Sequence, residues 1–504
     1  MKLVKNSLKF CVLTLSLSLA SLVFQGVAKA ASPYRLGYTF LNPNPAANDF
    51  FGISVAGVGN NVLIGAFQDD TNALDAGAAY LFDGNPTSPT FGQLLMTFQS
   101  PNPAVSGNFG GSVASVGNNI LIGESFRHAT LAQGQPGRAY LFDGTPQSST
   151  FGDLLMTFQA PIPRPFDFTG FSVAGMGNNV LIGAFGNNIG APLAGAAYLF
   201  DGDRASPTFG ELLTTFNNPN PGAGDRFGVA VASVGKNVLI GSFRDDVGGV
   251  DAGAAYLFDG DRTSPTFGQL LLSLSNPHPS PTDAWGQNDE FGHSVASVGN
   301  NCLVGAFRED IGALNVGRAY LYDCNPSSPT FGSLLTQFQN FYPYDYGWGD
   351  LGENFGFSLA SIGHYALIGA WRELAGAALA GAVYVYDANP TSPQFGQLVG
   401  AFFNPNPTAF GSFGTSIAVM GQNIVIGAIG EQGGSGAAFL FAPTANFTSL
   451  RLASQPPSSV PEPAPALATL LLGSAVLGNK ARQRRNQTPE KGSTSDQGHS
   501  QARV

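Results

Sequence analysis

Short apolar segments recur along most of the chain at intervals of 58 to 64 residues, each beginning near a Phe-Gly pair. The pair stands at 51, 109, 227, 291, 355 and 413, and Thr169-Gly170 takes its place in the third copy. Each copy contains an alternating segment such as Ser-Val-Ala-Gly-Val and a continuous apolar run such as Asn-Val-Leu-Ile-Gly-Ala. Both are typical of β-strands. The pattern therefore predicts seven copies of one β-rich unit.

Each unit contains four predicted strands. The third is Ala-Ala-Tyr-Leu-Phe, as at 78–82, and the fourth is Phe-Gly-x-Leu-Leu-x-x-Phe, as at 91–98. Asn-Pro-Asn-Pro or a similar segment then ends the fourth strand, because proline has no N–H for the ladder. Gly-Asn-Asn between the first two strands suits a tight hairpin. With no helical period in residues 31–455, the sequence predicts an all-β, seven-bladed β-propeller of four-stranded blades.

Closure of this ring requires a fourth strand for the seventh unit, which lacks the Phe-Gly-x-Leu-Leu phrase. Residues 34–41 resemble a fourth strand ahead of the first complete unit, and Asn-Pro-Asn-Pro follows them at 42–45. We expect this N-terminal strand to close the propeller. Residues 447–452 could supply the same strand locally and remain the alternative.

The repeats resemble the FG-GAP family, known from the propeller head of integrin α chains. Phe-Gly, Gly-Ala-Phe and Ala-Tyr-Leu-Phe carry the resemblance, which covers about 400 residues and all seven units. Integrin-like repeats often hold calcium in an Asp-x-Asp-x-Asp-Gly loop between their first two strands. Here that loop is only Gly-Asn-Asn or a similar triplet, which cannot wrap an ion. The family's calcium sites therefore do not carry over, and we interpret the Phe-Gly and Gly-Ala positions as structural.

Acidic residues cluster instead between the second and third strands. Three carboxylates within a few residues could bind calcium weakly, although solvated loop charge is the commoner explanation of such a cluster. The metal candidates are Asp69, Asp70, Asp75, Asp245, Asp246 and Asp251, and Glu309 and Asp310 occupy the same loop of the fifth unit. No other cofactor is predicted.

Long linkers before the fifth and sixth units contain aromatic and acidic residues. In a propeller these linkers share a face with the acidic loops, so aromatic rings could stack on sugar rings while carboxylates bond to hydroxyls. Ordinary surface packing of the rings is the alternative. The ligand-binding candidates are Trp285, Tyr342, Tyr344, Asp345, Tyr346, Trp348 and Asp350.

Both ends of the chain have the pattern of sorting signals. Residues 1–30 have three lysines ahead of an apolar run from Phe10 to Phe24, and Ala28-Lys29-Ala30 follows, which is the layout of a secretory signal peptide. The C-terminal part, residues 456–504, contains Pro461-Glu462-Pro463, a short apolar stretch and a basic cluster with Arg484 and Arg485. This end resembles the PEP-CTERM signal, which implies transient membrane contact and processing by an exosortase-type enzyme. A polar tail after the basic cluster departs from that pattern.

Two cysteines, Cys302 and Cys324, remain once the leader is removed, and both lie in the fifth unit. Cys302 opens the second strand and Cys324 ends the third, so antiparallel pairing would bring them close together. The same positions in the first unit are Val62 and Gly84, so the fold does not require cysteine there. In an exported chain this coincidence predicts a disulfide; two separate buried thiols are the alternative.

Charge further narrows the possible functions. Only 11% of the 504 residues are charged, and residues 31–478 contain 13 Arg or Lys against 31 Asp or Glu. Their net charge of −18 repels phosphate backbones, so nucleic acid is not an expected partner. The sequence has no Gly-x-Ser-x-Gly elbow, no His-Glu-x-x-His motif and no phosphate loop, and its histidines lack metal-ligand spacing.

The sequence thus predicts a non-enzymatic, exported protein of the cell envelope or extracellular matrix. We expect it to act as a binding, adhesion or structural module whose loop face contacts a polysaccharide or another surface protein. A carbohydrate-active hydrolase or lyase on the same scaffold is the alternative, because an acid pair could assemble from loops across the ring.

Overall fold

The computed structural model describes residues 34–126, 135–279, 289–310, 314–340 and 352–444. Their regular structure is β-strand throughout, apart from one short 3-10 segment at Glu431–Gly434. The strands form seven four-stranded antiparallel sheets, which confirms the predicted seven-bladed propeller. No helix in these ranges is long and apolar enough to cross a membrane.

The first strand belongs to the last blade, and the next twelve form blades one to three. The N-terminal strand is β1 (Tyr34–Leu41). Blade one contains β2 (Ser54–Val58), β3 (Asn61–Ala66), β4 (Ala78–Asp83) and β5 (Leu94–Gln99). Blade two contains β6 (Phe109–Val116), β7 (Asn119–Glu124), β8 (Arg138–Phe142) and β9 (Leu154–Phe158). Blade three contains β10 (Thr169–Met176), β11 (Asn179–Ala184), β12 (Ala196–Phe200) and β13 (Leu212–Asn217).

Blades four to seven continue in chain order. Blade four contains β14 (Val231–Val234), β15 (Asn237–Ser242), β16 (Ala254–Asp259) and β17 (Leu270–Ser275). Blade five contains β18 (Phe291–Val298), β19 (Asn301–Ala306), β20 (Arg318–Asp323) and β21 (Leu334–Gln339). Blade six contains β22 (Phe355–Ile362), β23 (Tyr365–Ala370), β24 (Ala382–Asp387) and β25 (Leu398–Phe403). Blade seven contains β26 (Phe413–Met420), β27 (Asn423–Ala428) and β28 (Ala437–Pro443), together with β1.

Within a blade, the strands follow one another as hairpins. In blade one, Val58 pairs with Asn61 across a two-residue turn, and Gly59 in that turn has a φ of +58°. Only glycine adopts such a φ at little cost, which explains the repeated Gly-Asn-Asn. The first strands of successive blades contact one another in a closed ring, so they surround the axis and the fourth strands form the rim.

Apolar packing between blades follows one scheme around the ring. Phe98 on the fourth strand of blade one contacts Phe142 at the end of the third strand of blade two, with ring centroids 5.0 Å apart. The same pair recurs as Phe158–Phe200, Phe216–Phe258, Phe338–Tyr386, Phe402–Phe441 and Phe40–Phe82. Each core cluster therefore lies between two blades rather than inside one.

The ring is closed by β1, as predicted. It pairs antiparallel with β28 from Tyr34 opposite Pro443 to Leu41 opposite Ala437, with an irregularity between Leu36 and Tyr38. Residues 447–452, the alternative closing strand, lie outside the described residues. Because β1 supplies the fourth position of blade seven, Phe40 packs on blade one as the other fourth-strand aromatics pack on their neighbours.

Cys302 and Cys324 are joined by a disulfide, and their Cα atoms are 5.6 Å apart. The reason is visible in the other blades, where the equivalent of Cys324 lies directly over the equivalent of Cys302. A Cβ built on Gly84 would be 2.8 Å from the side chain of Val62, and one on Gly202 would be 2.9 Å from Val180. Two cysteines at this pair of positions therefore meet without any change of backbone.

We predict that Phe40→Ala lowers the free energy of unfolding by about 3–5 kcal/mol, because Phe40 is 1% exposed at the closing interface. Leu41→Ala is the matched control, since Leu41 is the next residue of β1 and is 51% exposed. It should change stability by less than about 0.5 kcal/mol. Denaturant unfolding measures both; equal effects would show that burial against blade one does not stabilise the closure.

Candidate binding site

Two sets of loops share one face of the propeller, as the sequence predicted. They are the loops between the second and third strands and those from a fourth strand to the next first strand. The backbone N–H of Arg244, in the first set, donates to the carbonyl of Asp225, in the second, at 3.3 Å. Arg226 donates in turn to Leu193 of the preceding blade at 3.0 Å. We call this side of the propeller the loop face.

A depression of about 630 Å³ opens on the loop face beside the axis, and we call it the axial pocket. Blades three to six line it with equivalent positions of the repeat. Residues just before the first strand are Phe168, Arg226, Glu290 and Asn354, and those within or near its start are Phe171, Val229, His293 and Phe357. Residues that follow the second strand are Phe185, Phe243, Phe307 and Trp371, then Arg244, Arg308 and Arg372, with Asn315 nearby.

Aromatic rings form a nearly continuous floor in this pocket. Phe185 stacks on Phe168 with centroids 4.6 Å apart. Farther round the ring, His293 lies 4.5 Å from Phe307, and Phe357 lies 5.3 Å from Trp371. Such a floor offers apolar ring faces to a ligand on the loop side.

Among the described residues of the lining, four arginines accompany this floor, against one carboxylate. The guanidinium carbons of Arg226 and Arg244 lie 5.4 and 5.6 Å from the centroid of Phe243. Arg372 lies over Trp371 at 4.5 Å. These distances are within the range of cation–π contacts.

Glu290 is the acidic member of the lining. Its Oε1 is 3.3 Å from a guanidinium nitrogen of Arg308. Burial raises the pKa of Glu290, although Arg308 and the other nearby arginines oppose that rise. The carboxylate of Glu290 thus lies close to several arginine side chains.

A second set of carboxylates lies beside the pocket, and their side chains are directed into the blades. Asp245 accepts hydrogen bonds from Tyr256 at 2.8 Å and from Asn218 at 3.0 Å. Glu309 accepts from Tyr320 at 2.5 Å, and Asn340 donates to Glu373 at 2.5 Å. Burial raises the pKa of Glu309 to about 7, and burial with the neighbouring Glu353 raises that of Glu373 to about 8.

Hydrogen bonds of the same kind account for the acidic residues in the loops that were metal candidates. Asp69, like Asp245, is buried and accepts from the tyrosine of its own third strand, Tyr80. Asp70 accepts from the backbone N–H of Asp75, and Asp246 accepts from that of Asp251.

In blade three, Asn188 accepts the equivalent hydrogen bond from the backbone N–H of Leu193, so this loop conformation does not require a carboxylate. No group of three metal-ligating side chains is assembled within the described residues, and calcium binding stays a prediction.

The seven aromatic and acidic candidates of the long linkers lie outside the described residues: Trp285, Tyr342, Tyr344, Asp345, Tyr346, Trp348 and Asp350. The described residues that follow those linkers include Glu290 and Asn354, which line the axial pocket. The sequence analysis missed the arginines of the pocket. Aligned repeats carry the signal, because Arg244, Arg308 and Arg372 occupy the same position in three consecutive units.

The FG-GAP repeat family model matches three segments of the chain, residues 40–82, 218–258 and 281–322. Each matched segment ends at the third strand of a blade, and together they fall on blades one, four and five. The comparison therefore supports FG-GAP repeats in this propeller. A search of curated proteins finds no match to the chain.

We predict that stability falls as the pH rises from about 4.5 to 8. The unfolded chain ionises Glu373 near its usual pKa of 4.5, whereas the folded protein keeps it protonated up to about 8. Unfolding therefore releases a proton in this window, which favours the unfolded state as the pH rises. The pKa of Glu309, raised to about 7, acts in the same direction.

The melting temperature of Glu373→Gln, measured across this window, should fall less steeply than that of the unchanged protein. Glu211→Gln, at an exposed position on the rim, is the control and should follow the unchanged protein. Parallel curves for all three proteins would contradict a buried, protonated Glu373.

Proposed function

We propose that the protein is an exported binding module of the cell envelope or extracellular matrix, which presents its loop face to a polysaccharide or another surface protein. The observation that carries this proposal is the axial pocket, with its aromatic floor and arginines on the loop face of a closed propeller. Its volume of about 630 Å³ is within the range of ligand pockets. A propeller alone would not support a function, since folds host many.

Export is supported by the leader-like residues 1–30 and by the PEP-CTERM-like end, both outside the described residues. The disulfide between Cys302 and Cys324 agrees with an oxidising compartment, where such bonds persist. An exosortase-type enzyme and a transient stay in the membrane are part of this proposal. The net charge of residues 31–478 supports the exclusion of nucleic acid.

A carbohydrate-active hydrolase or lyase is the second candidate, and Glu290 is the observation in its favour. This carboxyl lines the axial pocket, and burial raises its pKa, as a general acid requires. Binding without turnover is the function that we place first, because glycoside cleavage usually uses a pair of carboxyl groups and the described residues of the pocket lining include one.

Retention on immobilised polysaccharides and envelope proteins from the source cell tests the function. We expect the purified protein to be retained by at least one of these surfaces and to release no new reducing ends or unsaturated sugars. Product release would establish the enzyme instead, and lack of retention on every surface would refute the binding module.

Replacement of Pro461-Glu462-Pro463 by alanines tests the proposed sorting. We expect export across the inner membrane to continue while the protein stays in that membrane, held by the apolar segment and the basic cluster around Arg484 and Arg485. Fractionation and mass measurement of the mature chain follow the outcome. Unchanged processing in a cell with an exosortase would contradict the sorting proposal.

A further inference from the structure

We propose that the axial pocket binds an anionic saccharide, with arginines on its carboxylate or sulfate group and aromatic side chains under its ring. This inference rests on the proposed binding function and names the ligand class of that site. It assigns the pocket to ligand binding rather than to stabilising the propeller.

Arg226 and Arg244 carry the first step of the argument. Both guanidinium groups approach the ring of Phe243, so two like charges lie close together. In the part of the chain that the structure describes, neither of them forms an ion pair, whereas Arg308 pairs with Glu290. Burial and the charge of Arg244 both lower the pKa of Arg226. A bound anion would relieve this repulsion, and arginine bonds carboxylate or sulfate through paired N–H groups.

Two nearby acids, Glu290 and Asp251, offset part of this repulsion by raising the pKa of Arg226. Asp245 directs its Oδ2 to Tyr256 and Asn218 inside the blade. Glu309 forms an ion pair with Arg318 at 2.7 Å, and Glu373 accepts a hydrogen bond from Asn340, so both acids have partners outside the pocket lining. With four arginines and one carboxylate among its described lining residues, the pocket is more cationic than the rest of this acidic chain.

The aromatic floor identifies the rest of the ligand. A flat, apolar ring face suits the C–H face of a sugar, while the hydroxyl groups of the sugar need polar partners at the edge. Two such groups line the pocket. Asn354 is 2% exposed and its Oδ1 has no hydrogen-bond partner within the described residues, nor has the buried Nε1 of Trp371. They supply one acceptor and one donor for hydroxyl groups.

Blades one, two and seven have no arginine at the position of Arg226 or of Arg244, although Arg138 lies over Phe126 in blade two. Positions equivalent to Arg244 hold Gln68 in blade one and Gly430 in blade seven, and Arg226 is matched by Phe50, Asn108 and Ser412. Since those blades have the same fold, the propeller does not need arginine at these positions. Ligand binding therefore explains the arginine cluster better than a structural role does.

Calorimetric titration with trigalacturonate and its neutral methyl ester tests the proposal on the full-length protein. We expect trigalacturonate to bind at least about tenfold more tightly than the ester, with an affinity that falls as salt increases. A sulfated galactotriose, compared with uncharged galactotriose, distinguishes sulfate from carboxylate as the anion. Tighter binding of either charged sugar than of its neutral partner supports the proposal.

Arg226→Gln/Arg244→Gln should weaken binding of the charged sugar at least about tenfold and leave the melting temperature of the free protein unchanged or higher. The matched control is Arg204→Gln/Arg262→Gln, which removes the same charge from the turns between third and fourth strands of blades three and four. Those arginines pair with Asp143 and Asp201 instead. The control should bind as the unchanged protein does.

Equal affinity for charged and neutral sugars, or equal weakening in both double variants, would overturn the proposal. So would a large loss of stability in Arg226→Gln/Arg244→Gln, because the arginines would then serve the fold. Retention of the unchanged protein on an envelope surface, undiminished in this variant, would refute the pocket assignment and leave the binding module standing. Loss of all retention by the unchanged protein would refute the module itself.

Discussion

A close approach of two glycines between neighbouring blades determines the rest of this structure. A Cβ on Gly65, near the end of β3, would lie 1.9 Å from the carbonyl oxygen of Gly110 in the next blade. Beside them, the hydroxyl of Ser54 donates to the same oxygen at 2.7 Å. The contact recurs around the ring and includes the closing interface, where Ser416 donates to Gly52. Blade four has Ala230 in place of the serine and keeps the glycine pair, Gly241 and Gly292. No residue with a side chain fits there, which explains why Phe-Gly and Ile-Gly-Ala recur.

This contact also determines where variation is tolerated. Because the end of each second strand is held against its neighbour, the residues just beyond it, such as Phe243 and Arg244, emerge at a fixed place beside the axis. Both side chains line the axial pocket, and the residues at these two positions differ from blade to blade. In blades three to six, the first of these positions holds an aromatic residue of the axial pocket, and in blades four to six an arginine follows it.

Burial of acids beside the pocket makes a separate contribution. Asp245 and Glu309 accept hydrogen bonds from the tyrosines of their own third strands, whereas Glu373 accepts one from Asn340, which follows the fourth strand of the preceding blade. Glu309 also forms an ion pair with Arg318, and burial raises the pKa of both Glu309 and Glu373. The loops that resembled metal sites in the sequence thus act first as supports of the loop face.

The sequence determined the number of blades, the strands of each blade and the closing role of residues 34–41, because period, turn glycines and strand patterns are local properties repeated seven times. It also indicated that Cys302 could meet Cys324, since antiparallel neighbours bring those positions together. Only the tertiary structure decided which polar residues share a site. Arg226 and Arg244 are separated by two strands and meet over Phe243, whereas Asp69 and Asp70 are adjacent and point to different partners. Side-chain direction and the curvature of the ring decide such contacts, and neither can be read from spacing along the chain.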